Sequence, residues 1–115
     1  MEDCIFCKIA AGTIPCRKVL EDDDILAFHD INPTAPVHVL IIPKRHIPTT
    51  LDFEAGADDA LAGKLITAAA RIARELGIDQ SGYRLVFNTN GDGGQEVYHV
   101  HLHLLGGRKF SWPAG

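Results

Sequence analysis

The chain predicts an α+β fold with a mostly antiparallel sheet of about five strands, one long helix and a short N-terminal helix. Three observations carry this expectation. Val37-His38-Val39-Leu40-Ile41-Ile42 is a near-continuous apolar run of strand length, rich in β-branched residues, as a central strand requires. Leu61, Leu65, Ile66, Ala69, Ile72, Ala73 and Leu76 recur at helical spacings and form one apolar stripe between Ala57 and Leu76. His99-Val100-His101-Leu102-His103 alternates with the period of a strand, so its three imidazoles share one face while Val100, Leu102 and Leu104 share the other.

The remaining elements follow in order. Cys4 to Ala11 reads as a short helical turn closed by Gly12, after which Pro15 forces extension. Lys18-Val19-Leu20 and Ile25-Leu26-Ala27-Phe28 form a pair of short strands, with the acidic run Glu21 to Asp24 as a solvated turn between them. Two prolines in Ile31-Asn32-Pro33-Thr34-Ala35-Pro36 mark a loop before the central strand, which ends at Pro43. On the long helix, Asp58 and Asp59 suit the first turn, Arg71 and Arg74 the last turns, and Gly77 the C-terminal cap. Tyr83 to Asn88 is a further strand. Asn90-Gly91-Asp92-Gly93-Gly94 is a turn, so this strand and the histidine strand pair as an antiparallel hairpin.

Composition bounds the function. With 115 residues, the chain is expected to form a single domain, residues 1–115, with a real core. A net charge of −4 argues against nucleic-acid binding through a broad basic face, though not against binding a single nucleotide. The start is acidic and the apolar stretch after it is broken by Lys8, so neither a secretory signal nor a membrane partner is expected. Three cysteines, an odd number, favour a cytoplasmic setting over a disulfide scaffold.

The histidine row admits three readings on its own. The imidazoles can be satisfied core or surface groups, ligands of a catalytic metal, or a nucleophile with its acid–base partners. Cys4-Ile5-Phe6-Cys7 separately has the spacing of two tetrahedral zinc ligands. Cys16 is the unpaired third cysteine, read as packing, and His29 is read as a structural hydrogen-bonding group.

The segment Gly93-Gly94-Gln95-Glu96-Val97-Tyr98 followed by His99-Val100-His101-Leu102-His103-Leu104-Leu105 closely resembles the signature of the histidine triad (HIT) family. Ala27-Phe28-His29-Asp30-Ile31-Asn32-Pro33, Ala35-Pro36-Val37-His38 and Ile42-Pro43-Lys44 are similar to the family's nucleoside-binding half. The tail from Gly106-Gly107-Arg108 to Trp112-Pro113 resembles the Hint branch in particular.

The resemblance implies a HIT-like fold whose sheet continues across a homodimer. It also implies hydrolysis of purine nucleoside 5′-phosphoramidates (AMP-NH2 and AMP-lysine types) through a nucleotidyl-histidine. His101 would be the nucleophile, with His103 and His38 contacting the phosphate or steadying it. Asn88, Gly94 and Gln95 would hold the phosphate, partly through backbone N–H groups. Asp30 would take the ribose hydroxyls, and Phe28, Ile31 and Leu40 the base of an AMP- or GMP-type ligand. Glu96 stands where many Hint proteins have serine and is the candidate acid for the leaving amine. The resemblance further implies a structural zinc ion, not required for chemistry, on Cys4, Cys7, His46 and His99. The alternatives are a dinucleoside polyphosphate hydrolase of the same family and a nucleotide-binding regulatory adaptor.

Overall fold

Alternation along the strands decides the architecture, because both faces of the sheet are covered. A computed structural model describes residues 3–115. Its elements are helix α1 (Ile5–Ala10), strands β1 (Lys18–Glu21), β2 (Ile25–His29) and β3 (Val37–Pro43), a 3-10 turn (Thr50–Asp52), helix α2 (Asp59–Glu75), and strands β4 (Tyr83–Val86) and β5 (Leu102–Gly106). The five strands form one sheet in the order β1-β2-β3-β5-β4, antiparallel at every pairing. The fold is therefore α+β, as the apolar patterning predicts.

Odd and even positions feed two different cores. Ile25 and Ala27 of β2, Val39 and Ile41 of β3, and Leu102 and Leu104 of β5 pack with Leu65, Ala69 and Ile72 of α2. Leu26, Phe28, Leu40 and Ile42 face the other way and pack with Phe6 of α1. Burial on both faces is why β3 reads as a continuous apolar run. His38 is the exception in that run, and it lies on the α1 side with Leu40.

The buried row of α2 is Leu65, Ala68, Ala69, Ile72 and Ala73, the i, i+3, i+4, i+7, i+8 set of one helix face. Small residues in that row allow close approach to the sheet. Ile66 and Leu76 fall outside it and are exposed, so the stripe is narrower than the sequence spacing suggests. Asp58 does not cap the helix with its side chain. It is buried, pairs with Arg45 at 2.5 Å and accepts the Glu54 N–H at 2.7 Å. The C-terminal end is a Schellman turn: Ile78 N–H donates to the Ala73 carbonyl at 3.0 Å and Gly77 N–H to that of Arg74 at 3.2 Å. Gly77, with φ of 74°, supplies the left-handed residue this turn needs.

The acidic turn between β1 and β2 does more than meet solvent. Glu21 pairs with Lys18 and Lys44 at 2.6 and 2.7 Å, while Asp22 and Asp24 meet Lys64 of α2 at 2.7 and 3.0 Å. Among the described residues, no helix is long and apolar enough to cross a membrane.

The histidine segment departs from the expected strand. Ladder pairing begins only at Leu102, so His99 and His101 precede β5 rather than lie in it. Alternation nevertheless persists through the approach: Val100 joins the α2-side core, while His99 and His101 both lie against Phe6.

Candidate active site and metal-binding group

A cleft of about 490 Å³ opens on the α1 side of the sheet, within the size range of small-ligand sites. His38, His101 and His103 line it together with Asp30, Asn88, Gly94 and Glu96. Its apolar wall contains Phe28 and Leu40, both buried, and Ile31, which is exposed at the mouth. The structure thus brings most of the expected site residues to one place.

Hydrogen bonds assign the imidazole tautomers. The Thr34 backbone N–H donates to His38 Nδ1 at 3.1 Å, so Nδ1 is an acceptor and the neutral ring carries its proton on Nε2. That Nε2–H donates to His103 Nδ1 at 2.9 Å. His103 is then left with a proton on Nε2; the Asn88 side-chain amide lies 3.5 Å away and accepts that proton only when it turns Oδ1 rather than Nδ2 toward the ring. His101 is set separately: its Nδ1–H donates to the His99 carbonyl at 2.8 Å, leaving the Nε2 lone pair free.

Electrostatics favour the neutral forms of His103 and His38. Burial pushes the His103 pKa down to about 4, and the neighbouring His101 and His38 act in the same direction, against Asp30. Burial also lowers that of His38, opposed by the Asp30 carboxylate 3.4 Å from its Nε2. Asp30 Oδ1 accepts the Asn32 N–H at 2.8 Å, which fixes the carboxylate at the cleft edge.

The glycine-rich turn behaves differently from expectation. The N–H of Gly94 donates to Gly91 O and that of Gln95 to Asn90 O, so both are used within the turn. The Gln95 side chain is buried and bonds Pro48 O at 2.8 Å, Val97 O at 3.1 Å and Asn90 N–H at 3.0 Å. Gln95 therefore shapes the loop and does not line the cleft, whereas Gly94 does. Glu96 is exposed at the cleft, and Cys16 packs against its apolar wall. The His29 ring also lines the cleft and makes no hydrogen bond among the described residues, contrary to its expected structural role.

Three contributors are not visible in the sequence pattern. Phe6 and Ile9 of α1 complete the apolar wall; their spacing marks a helix face but not what it covers. Thr34 acts through its main chain, which side-chain identity cannot reveal.

His99 leaves the cleft set. With Cys4, Cys7 and His46 it forms a group whose ligand atoms all lie within 4.8 Å of one another, and which can hold a metal ion. Cys4 Sγ and Cys7 Sγ lie 3.3 and 3.4 Å from His99 Nδ1, and Cys7 Sγ lies 3.2 Å from His46 Nδ1. A tetrahedral zinc ion with ordinary bond lengths sets sulfur and nitrogen ligands about 3.6 Å apart, close to these separations. His99 Nε2–H donates to Pro43 O at 2.7 Å, which turns Nδ1 toward the sulfurs as a ligand requires. Burial lowers the pKa of the fully enclosed His99 ring, favouring the neutral form that binds metal. The donor set fits zinc.

Comparison with known proteins bears on this site. The model of the HIT domain family matches residues 11–110. The chain is 55% identical over 107 residues to the purine nucleoside phosphoramidase of Escherichia coli K12, covering 93% of this chain and 89% of that one. It is 52% identical to a Synechocystis protein described as uncharacterized and HIT-like, over 99% of this chain and 98% of the other. Among solved structures, a HIT family hydrolase from Legionella pneumophila matches with a TM-score of 0.95 and 55% identity, covering 98% and 100% of the two chains. A histidine triad protein from Clostridium difficile matches with a TM-score of 0.90 and 47% identity over 96% of each.

Proposed function

The chain belongs to the histidine triad (HIT) family and is a hydrolase, and from that premise we propose that it cleaves the P–N bond of purine nucleoside 5′-phosphoramidates. The observation that carries the reading is the placement of His101, whose Nδ1 is committed to the His99 carbonyl at 2.8 Å while its ring lines the cleft, so that Nε2 is the nitrogen the neutral ring presents. A neutral imidazole so held is a ready nucleophile. The name of the E. coli relative supports the substrate class.

In the proposed reaction His101 Nε2 attacks the α-phosphorus and the P–N bond breaks as the amine leaves with a proton. Water then attacks the nucleotidyl-histidine, releasing nucleoside monophosphate and restoring the imidazole. His103 offers Nε2–H to the phosphate, and His38 holds His103 in that tautomer. The Asn88 amide supplies a second polar contact beside it. Asp30, half-buried at the cleft edge, takes the ribose hydroxyls, and Phe28, Leu40 and Ile31 enclose the base. Glu96, exposed at the cleft, is the candidate proton source for the departing amine.

Cys4, Cys7, His46 and His99 are read as a structural zinc site, supported by the fit of the donor set. Zinc bound there supplies a cross-link between α1, the segment after β3 and the approach to β5. A reducing, cytoplasmic setting is consistent with three free cysteines. A homodimer with a continuous sheet is supported by β4, an edge strand, and by the exposed Tyr83 upon it.

Turnover of adenosine 5′-phosphoramidate against a dinucleoside polyphosphate tests the substrate assignment. Faster cleavage of the phosphoramidate is expected; preference for the polyphosphate overturns it.

A further inference from the structure

His99 belongs to two arrangements at once. Its ring Nδ1 faces the sulfurs of Cys4 and Cys7, and its main-chain carbonyl accepts the Nδ1–H of His101 at 2.8 Å. The ring is wholly buried and tied to Pro43 at the end of β3. The next residue, Val100, donates its N–H to the Ile47 carbonyl at 2.7 Å, directly beside His46. The backbone that orients His101 is therefore built from the residues that offer metal ligands and their immediate neighbours.

Phe6 makes a second link. It lies between Cys4 and Cys7, and its ring meets those of His101 and Phe28 edge-on, with centroids 5.1 and 5.7 Å away. Helix α1 has six residues, too few to be stable by itself, and Phe6 is its one buried side chain. Whatever fixes Cys4 and Cys7 also fixes Phe6 against the nucleophile and the apolar wall of the cleft.

We propose that the Cys4–Cys7–His46–His99 centre and the nucleotide cleft are coupled through His99 and Phe6, so that Zn²⁺ and a nucleoside monophosphate each tighten the binding of the other. The inference rests on the nucleotide reading above and deepens it, making Phe6 and His99 positioning residues for His101. A metal that orders α1 removes an ordering cost the nucleotide would otherwise bear. Linkage then requires the effect to be equal in both directions.

The test is competition for Zn²⁺ between the full chain and a chromophoric chelator, with and without saturating AMP, after subtracting the weak binding of Zn²⁺ to AMP itself. AMP is expected to raise Zn²⁺ affinity by about 5-fold or more. Phe6→Ala is expected to keep one Zn²⁺ per chain and to lose most of that factor. Phe6→Leu, which retains apolar volume without the ring contact, is expected to do the same if the alanine variant does not fold. Unchanged Zn²⁺ affinity while calorimetry shows AMP bound overturns the coupling alone, as does full coupling in the Phe6 variants or a chain that takes up no zinc. Failure of the zinc-loaded protein to bind AMP overturns the nucleotide reading as well.

Discussion

His38 and His103 are joined Nε2 to Nδ1 at 2.9 Å although they are not opposite one another in the sheet. The register sets His103 against Leu40 and His38 against Leu105, so the two rings meet along a diagonal on the α1 side. The Thr34 N–H fixes the first ring, and the first ring fixes the second. Replacing His38 with alanine leaves His103 Nδ1 buried without its donor and frees the wrong tautomer. Turnover on a phosphoramidate is expected to fall about 10- to 100-fold, the cost of one unpaired buried polar group. Steady-state kinetics of His38→Ala check this.

Acid sensitivity follows from the same pair. Burial holds His103 at about 4, below its ordinary 6.5. Between these values the unfolded chain binds a proton that the native chain refuses, so stability falls as pH drops from 6.5 toward 4 and is unaffected by this group above 6.5. The loss from His103 is at most about 3 kcal/mol. Urea titrations across that window are expected to show a shallower decline in His103→Asn, which leaves the Cys–His centre intact.

Zinc content is the third expectation. Protein purified without chelator or added metal is expected to carry one zinc per chain. Cys7→Ala is expected to lose it, and to lose melting temperature on the order of 10 °C, the equivalent of roughly 2–3 kcal/mol in a domain of this size. The Cys7 thiol is raised above its ordinary 9.0 by burial and by Cys4, so it starts protonated at neutral pH. Zinc uptake is then accompanied by proton release, measurable in weakly buffered solution.

Glu96 is tested by leaving-group chemistry. If it protonates the departing amine, Glu96→Gln slows substrates with strongly basic amines by about 100-fold or more. A substrate whose aryl amine leaves without assistance is little affected. Equal slowing of both substrate types removes the acid role.

Much of this site was legible because alternation survives where the ladder does not. The spacing of His99, His101 and His103 put all three on the Phe6 side even though only His103 lies in β5. Cys4 and Cys7 were legible from spacing, and His46 and His99 only through family resemblance. Family resemblance implies a phosphate role for Gln95, but its amide turns inward and bonds Asn90 N–H, Pro48 O and Val97 O. Phe6 and Thr34 act across contacts made by chain topology, which local pattern does not encode. The α2 stripe is narrower than its spacing predicts because spacing alone does not say where a helix face ends: Leu65 is buried and the adjacent Ile66 is not.

The central claim is that His101 forms a covalent bond to the nucleotide. The direct measurement is rapid quench of the wild-type chain and of His101→Asn with a fluorogenic adenosine phosphoramidate, followed by mass analysis of the protein. The wild type is expected to release amine, accumulate a nucleotidyl group on His101 and turn over, while His101→Asn forms no adduct and loses turnover by several orders of magnitude. A wild-type chain that does not turn over, or a His101→Asn variant that matches it, contradicts the account.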